Sequence, residues 1–340
     1  MSKIFIFILV ILQVNNILSN TIKDNIQDLS LDKNNNYNSA SKRLNQINIS
    51  ESRIYIGKIF LLLIGSLLTF IVYSAIRNTI IMNKLIKEGF SIIKKNFEFE
   101  ELDIGNLRRI IVYIFPFFSK VYYIKDLGIL PIMTINIGLI QMVTFNINPF
   151  EKDLPQMTMD LIYIFGKRTI IFEIYDLMID KNNKKYKNYL KKLNEIKEKI
   201  SDFKLYETKK VWYEHYLSAN IKKSTTANDD MRILNFFKDV VNAYIEFAKD
   251  VPSLNDIEKE KKYFLIKGLS DEFVKQGGVA VNLIKKAFGE DKTREILGRI
   301  IFGYLNIKDL NLKLYKKMYV QNNSKFMNFE EDKNLIQKEH

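Results

Sequence analysis

The sequence predicts an α+β protein, mainly helical, with a single transmembrane helix, a small antiparallel β-rich domain and a helical C-terminal module. Three observations carry that expectation. Residues 59–76 form an uncharged apolar run, residues 108–180 are β-branched and aromatic with turn punctuation, and the stretches beyond them place apolar residues at helical spacing among many lysines.

Residues 1–20 begin with Lys3, followed by apolar residues from Ile4 to Leu12 and a break at Gln13, Asn15 and Asn16. This pattern predicts a signal peptide or N-terminal anchor, with Ser19 as the small residue at a cleavage point. Residues 21–53 are rich in Asn, Ser, Lys and Asp and lack a sustained apolar period. Such a segment buries too little surface to offset its ordering entropy and is expected to be a disordered tether. Residues 54–77 follow as the transmembrane helix, since about 20 apolar residues cross a hydrocarbon core of about 30 Å. Arg77, Lys84, Lys87, Lys94 and Lys95 follow the span, and Glu88 is the sole acid before Glu98. That bias predicts a cytoplasmic C-terminal part. A juxtamembrane helix over 78–107 would then set Lys84, Lys87, Lys94 and Lys95 against lipid phosphates, making the membrane the first expected partner.

The β-rich domain at 108–180 contains the segments 121–124, 132–137, 139–147, 161–165 and 169–177, separated by Gly, Pro, Asn or charged breaks. Its clearest unit is DLIYIFGKRTIIFEIYDL, where Gly166, Lys167 and Arg168 sit between two apolar runs as a hairpin turn would. Residues 127–147 are also uncharged and long enough for a second span. Pro131, Asn136, Gln141 and Asn146 would be unfavourable in lipid, so the sheet is the preferred reading. Residues 181–250 are expected to be charged helices. Tyr186, Tyr189, Leu193 and Ile196 form one packing stripe and Ile233, Phe237, Val240, Val241 and Tyr244 another, with a polar loop at 222–230 between them. Residues 251–320 read as short helices punctuated by Pro252, Gly277, Gly278 and Gly289, and residues 321–340 as a charged tail.

Composition narrows the chemistry. The 340 residues carry a formal charge of +13 and no cysteine, which excludes disulfides, thiolate metal sites and thiol nucleophiles. The charge suits an anionic membrane surface. Ile, Lys and Asn are abundant along the whole chain, so nucleic acid is not the expected partner. The chain has two histidines. His340 is the last residue, and His215 lies in VWYEHYL, an aromatic setting that suits packing better than catalysis. With no phosphate loop and no nucleophile elbow either, no catalytic residue, no metal and no cofactor is expected, and the chain reads as non-enzymatic.

One local resemblance adds to this reading. The segment DEFVKQGGVAVNLIKKAFGEDKTREILGRI at 271–300 carries a Gly277–Gly278 pair, then Lys286, Ala287, Phe288 and Gly289, then Ile296, Leu297 and Arg299. It resembles the N-terminal domain of the flagellar motor-switch protein FliG. Two departures stand out: the interval from Gly278 to Lys286 is about two residues shorter than the family's, and Ala280 and Val281 replace an acidic-aromatic pair. The resemblance implies a docking module and a protein partner in a membrane complex. Gly277, Gly278 and Gly289 would set helix geometry and Leu283, Ile284, Phe288, Ile296 and Leu297 would make the contacts. Together with the charge bias it predicts a membrane-anchored adaptor or scaffold of the bacterial inner membrane, in an envelope or flagellar motor assembly. The alternative is an exported or membrane-tethered protein that binds a lipid or small apolar ligand in a cavity lined by Ile135, Ile137, Val143 and Phe145.

Overall fold

The computed structural model describes residues 39–310 apart from 139 and 209. The expected signal peptide or anchor at 1–20, the start of the tether and the tail at 321–340 lie outside the described residues. The chain divides into two compact units, Met1–Leu67 and Leu68–His340.

Helix α1 (Ser39–Lys94) runs through both units. It begins well inside the expected tether, which corrects that boundary: 39–53 is helical. Extending an existing helix adds one hydrogen bond per residue fixed, so the polar flank SASKRLNQINISESR joins the apolar run without a second nucleation step. The stretch Gly57–Lys94 is long and apolar enough to cross a membrane by length and composition. In the first unit the side chains of Ile59, Phe60, Leu61, Leu62 and Leu63 are exposed.

The second unit is built on one antiparallel sheet. Its strands are β1 (Phe99–Leu102), β2 (Arg109–Val112), β3 (Phe115–Ile124), β4 (Gly128–Ile137), β5 (Ile140–Ile147), β6 (Gln156–Ile164), β7 (Lys167–Tyr175), β8 (Lys204–Leu205) and β9 (Leu217–Thr226). Among the described residues they form a nine-stranded sheet in the order β1-β3-β4-β5-β6-β7-β9-β8, with β2 paired to the start of β3. The uncharged stretch at 127–147 is thus two strands. The sheet also exceeds the expected 108–180. It takes β1 from the expected juxtamembrane helix, which ends at Lys94, and β8 and β9 from the expected charged helices at 181–250 and their loop at 222–230. The β6–β7 turn is Phe165 and Gly166, because Ile164 pairs with Lys167. Lys167 and Arg168 therefore belong to β7.

Helices cover both faces. On the first, Ile81, Leu85 and Ile93 of α1 join residues of α2 (Lys184–Glu198) and α3 (Asp230–Asp250) around Val143, Phe145, Leu161, Phe172 and Ile221. Phe145 meets Phe237 edge-on at 5.2 Å. On the second, α4 (Asp256–Gln276), α5 (Val279–Phe288) and α6 (Glu290–Ile300) share a core with Val121, Ile129, Met133 and Ile135. Alternation along a strand sends successive residues to opposite faces, so β3 and β4 feed both cores, Tyr122, Leu130 and Ile132 joining the first and Val121, Ile129 and Met133 the second. Asn255 and Glu258 close a capping box at the start of α4. Lys262 of α4 is fully buried; its ammonium donates to Leu154 O and, at 2.6 Å, to Leu177 O, and burial pulls it down to about 8. Gly277 ends α4 at φ +82°, where an added Cβ would sit 2.2 Å from Asn282 Oδ1. Gly289 ends α5 at φ +80°, while Gly278 is extended.

Candidate functional site

Directly opposed residues of an antiparallel pair point to one face. Met133 opposes Thr144, Thr144 opposes Asp160, Asn146 opposes Thr158, Thr158 opposes Glu173, and Glu173 opposes Asn220. The sheet face under α4–α6 is therefore apolar across β3 and β4 and polar across β5, β6, β7 and β9. Thr144 Oγ1 donates to Asp160 Oδ1 at 2.5 Å. Tyr175 Oη donates to Glu173 Oε2 at 2.7 Å, and Lys222 Nζ lies 3.6 Å from Glu173 Oε1. The side chains of Asn146, Gln156, Glu173 and Asn220 each leave a buried oxygen with no hydrogen-bond partner.

An aromatic wall borders this strip. Tyr213 packs on Tyr175 at 5.9 Å and on Phe273 at 4.9 Å, and Trp212 packs on Phe273 at 4.9 Å. Trp212 Nε1 donates to Gly277 O at 2.7 Å, tying the short 3-10 helix Trp212–Tyr216 to the end of α4. The same segment holds His215, which is exposed, with Nδ1 2.9 Å from Trp212 O.

Burial governs the ionisation of the strip. Burial pushes Asp160 up to about 6, the Thr144 hydrogen bond opposes that shift, and the neighbouring Glu173 charge adds to it. Glu173 is raised by burial too, against the Tyr175 hydrogen bond and Lys222. Tyr213 is raised by burial and then by the charges of Glu173 and Asp160. Asp160 can therefore hold or release a proton near neutrality. Its stability effect follows from linkage. Between an unfolded value near 3.8 and a folded value of about 6 the native state binds more protons, so unfolding free energy falls as pH rises through this window. Asp160→Asn should flatten that dependence by up to about 3 kcal/mol, measured as urea midpoints at the two ends of the window, with Glu173 supplying the residual slope.

The residues expected from the sequence fall elsewhere. Ile284, Ile296 and Leu297 are buried in the core shared with the sheet, so they are unable to touch a partner; Leu283 and Phe288 are exposed. Lys84, Lys87, Lys94 and Lys95 are all exposed. The last three line a cleft of about 600 Å³ with Phe90, Phe99 and Tyr122, beside the β1 end of the sheet. Ile135 lies in the core under α4–α6 while Val143 and Phe145 lie in the opposite core, so these residues line no common cavity. Asp160 and Glu173 escaped the sequence reading because QMTMDLIYI and KRTIIFEIY look like strands with one solvated face. The long helical stretch after β9 was the available sign that this face is covered.

No family model matches the chain, and no curated protein matches it. Among solved structures it is similar to a crystal structure of phytochromobilin synthase from tomato in complex with biliverdin, with a TM-score of 0.54 and 13% sequence identity over 66% of this chain and 83% of that chain. This finding overturns both the flagellar adaptor reading and the non-enzymatic one. The second unit is an α+β unit with the fold of that protein.

Proposed function

We propose that this protein binds an elongated, conjugated ligand rich in N–H donors, a linear tetrapyrrole being the first candidate, on the polar strip beneath α4–α6, and exchanges a proton with it through Asp160. The observation that carries the reading is the set of buried oxygens on one sheet face without hydrogen-bond partners, from Asn146, Gln156, Glu173 and Asn220. Buried acceptors are normally paired, so a row of them fits a ligand that brings donors. The aromatic wall of Trp212, Tyr213 and Phe273 supplies flat apolar surface for such a ligand. The likeness to a structure determined with biliverdin supports the ligand class. Titrating the purified chain with biliverdin should shift the ligand's visible absorption saturably. Asp160→Asn should retain binding but move the pH at which the bound spectrum changes. An unchanged ligand spectrum at saturating protein would refute the reading.

The second part of the proposal is that α1 anchors the protein in the inner membrane of a bacterium with the sheet unit in the cytoplasm. The lysine excess after Arg77 supports that sidedness.

A further inference from the structure

The sheet has two distinct ends. Register places the β2–β3, β4–β5 and β6–β7 turns at one of them, because Val112 pairs with Phe115, Ile137 with Ile140 and Ile164 with Lys167. Thr226 at the close of β9 pairs with Lys167 and belongs to the same end. Helix α1 reaches the sheet there: Gln141 Nε2 donates to Ala75 O at 3.0 Å and to Thr79 Oγ1 at 3.1 Å, and Asn136 Nδ2 donates to Thr79 Oγ1 at 3.2 Å. Arg77 pairs with Asp230 at 3.1 Å, just beyond β9. The apolar residues Leu68, Phe70, Val72 and Tyr73, which precede this contact, are exposed.

The turns at this end are themselves apolar. Ile114 is 75% exposed, Tyr113 54% and Ile111 53%, with Phe118, Ile164 and Met231 also exposed. Arg109, stacked on Phe118 at 5.6 Å, and Lys167 flank them. Two-residue hairpin turns favour Gly, Asn or Asp wherever φ is positive. Here Tyr113 sits at φ +57° and Phe165 at φ +52°. Both turns thus place a bulky side chain where backbone conformation disfavours one; Phe165 is half-buried, but Tyr113 is exposed, so packing inside the unit does not explain it.

We infer that the turns around Tyr113, Ile114 and Ile164 form a second membrane contact, inserting apolar tips into the headgroup region beside the point where α1 leaves the sheet, with Arg109 and Lys167 against lipid phosphates. The occupant is the bilayer because the exposed apolar surface of α1 at Leu68, Phe70, Val72 and Tyr73 continues from the same end. The inference rests on the anchored reading proposed above, and its test separates the two.

The chain has no cysteine, so single labels can be placed cleanly. Ile114→Cys, Leu62→Cys and Lys187→Cys chains would each be labelled with a fluorophore and reconstituted in full-length form into vesicles of phosphatidylcholine and phosphatidylglycerol. Nitroxide-bearing phospholipid and aqueous iodide serve as quenchers. At Ile114 the lipid quencher should remove most of the fluorescence and iodide little; at Lys187, on α2, the reverse should hold. An Ile114 label quenched by iodide as fully as that at Lys187 overturns the contact, as does one shielded from both quenchers, which would mean a protein covers the tips. The Leu62 label reports on the span alone: iodide access there refutes the anchor, whatever the Ile114 result.

Discussion

Replacing Arg168 with Met should lower the unfolding free energy by about 3–5 kcal/mol. The guanidinium is 1% exposed. Its Nε lies 2.7 Å from Asp230 Oδ1, and its Nη2 lies 3.2 Å from Asp230 Oδ2 and 2.7 Å from Asn78 Oδ1. Its plane stands 4.4 Å from the Tyr163 ring. One side chain thus joins α1, β6, β7 and the first residue of α3. Met fills the space but strands the Asp230 carboxylate, leaving it the half-exposed Arg77 as its remaining partner. Removing both members should be milder than removing one, so Arg168→Met with Asp230→Leu should recover much of the loss. Urea unfolding followed by circular dichroism measures both. A single variant within about 0.5 kcal/mol of the parent would show that the buried pair contributes no net stability.

A comparable loss, about 3–5 kcal/mol, is expected from Gly128→Ala, for a backbone reason. Gly128 opens β4 at φ +147°, and an added Cβ would lie 2.1 Å from Asn148 O and 2.6 Å from Phe150 N. Both obstacles are main-chain atoms. They are held by the Ile129 and Asn148 amides, which donate to each other's carbonyls at 2.9 and 2.8 Å, and by the Glu151 amide, which donates to Leu127 O at 3.2 Å. No rotamer change relieves such a clash, so the β4 and β5 ends must separate. Gly138→Ala offers a contrast: φ there is +70° but an added Cβ meets nothing within 4 Å, so conformational strain acts alone. If the two variants lose equal stability, close approach at Gly128 is not the cause.

Much of the fold was legible because the apolar spacing was strong. The residues Tyr186, Tyr189, Leu193 and Ile196 form a buried stripe of α2, as their spacing predicts. The strands from β4 to β7 announced themselves through Ile, Val and Phe. β9 did not, since LSANIKKSTT turns one side toward the polar strip and reads as a loop. The start of β1 was hidden by FEEL, four residues at the sheet margin with two glutamates. The site was less legible than the fold. Thr144, Asp160, Glu173 and Asn220 lie far apart along the chain and meet only through strand register. The Gly277–Gly278 segment misled in a different way: its turn chemistry serves any short-helix array, and Ile296 and Leu297 proved to be interior packing.

The C-terminal third of α1 lends Leu85, Ile92 and Ile93 to one of the two cores. A protease that cut between Arg77 and Lys95 would not shed an intact water-borne fragment, because the released piece would lack part of its own interior and expose Phe145 and Phe237. The C-terminal third of α1 is therefore a structural part of the sheet unit, and a chain beginning after Lys95 should fail to fold.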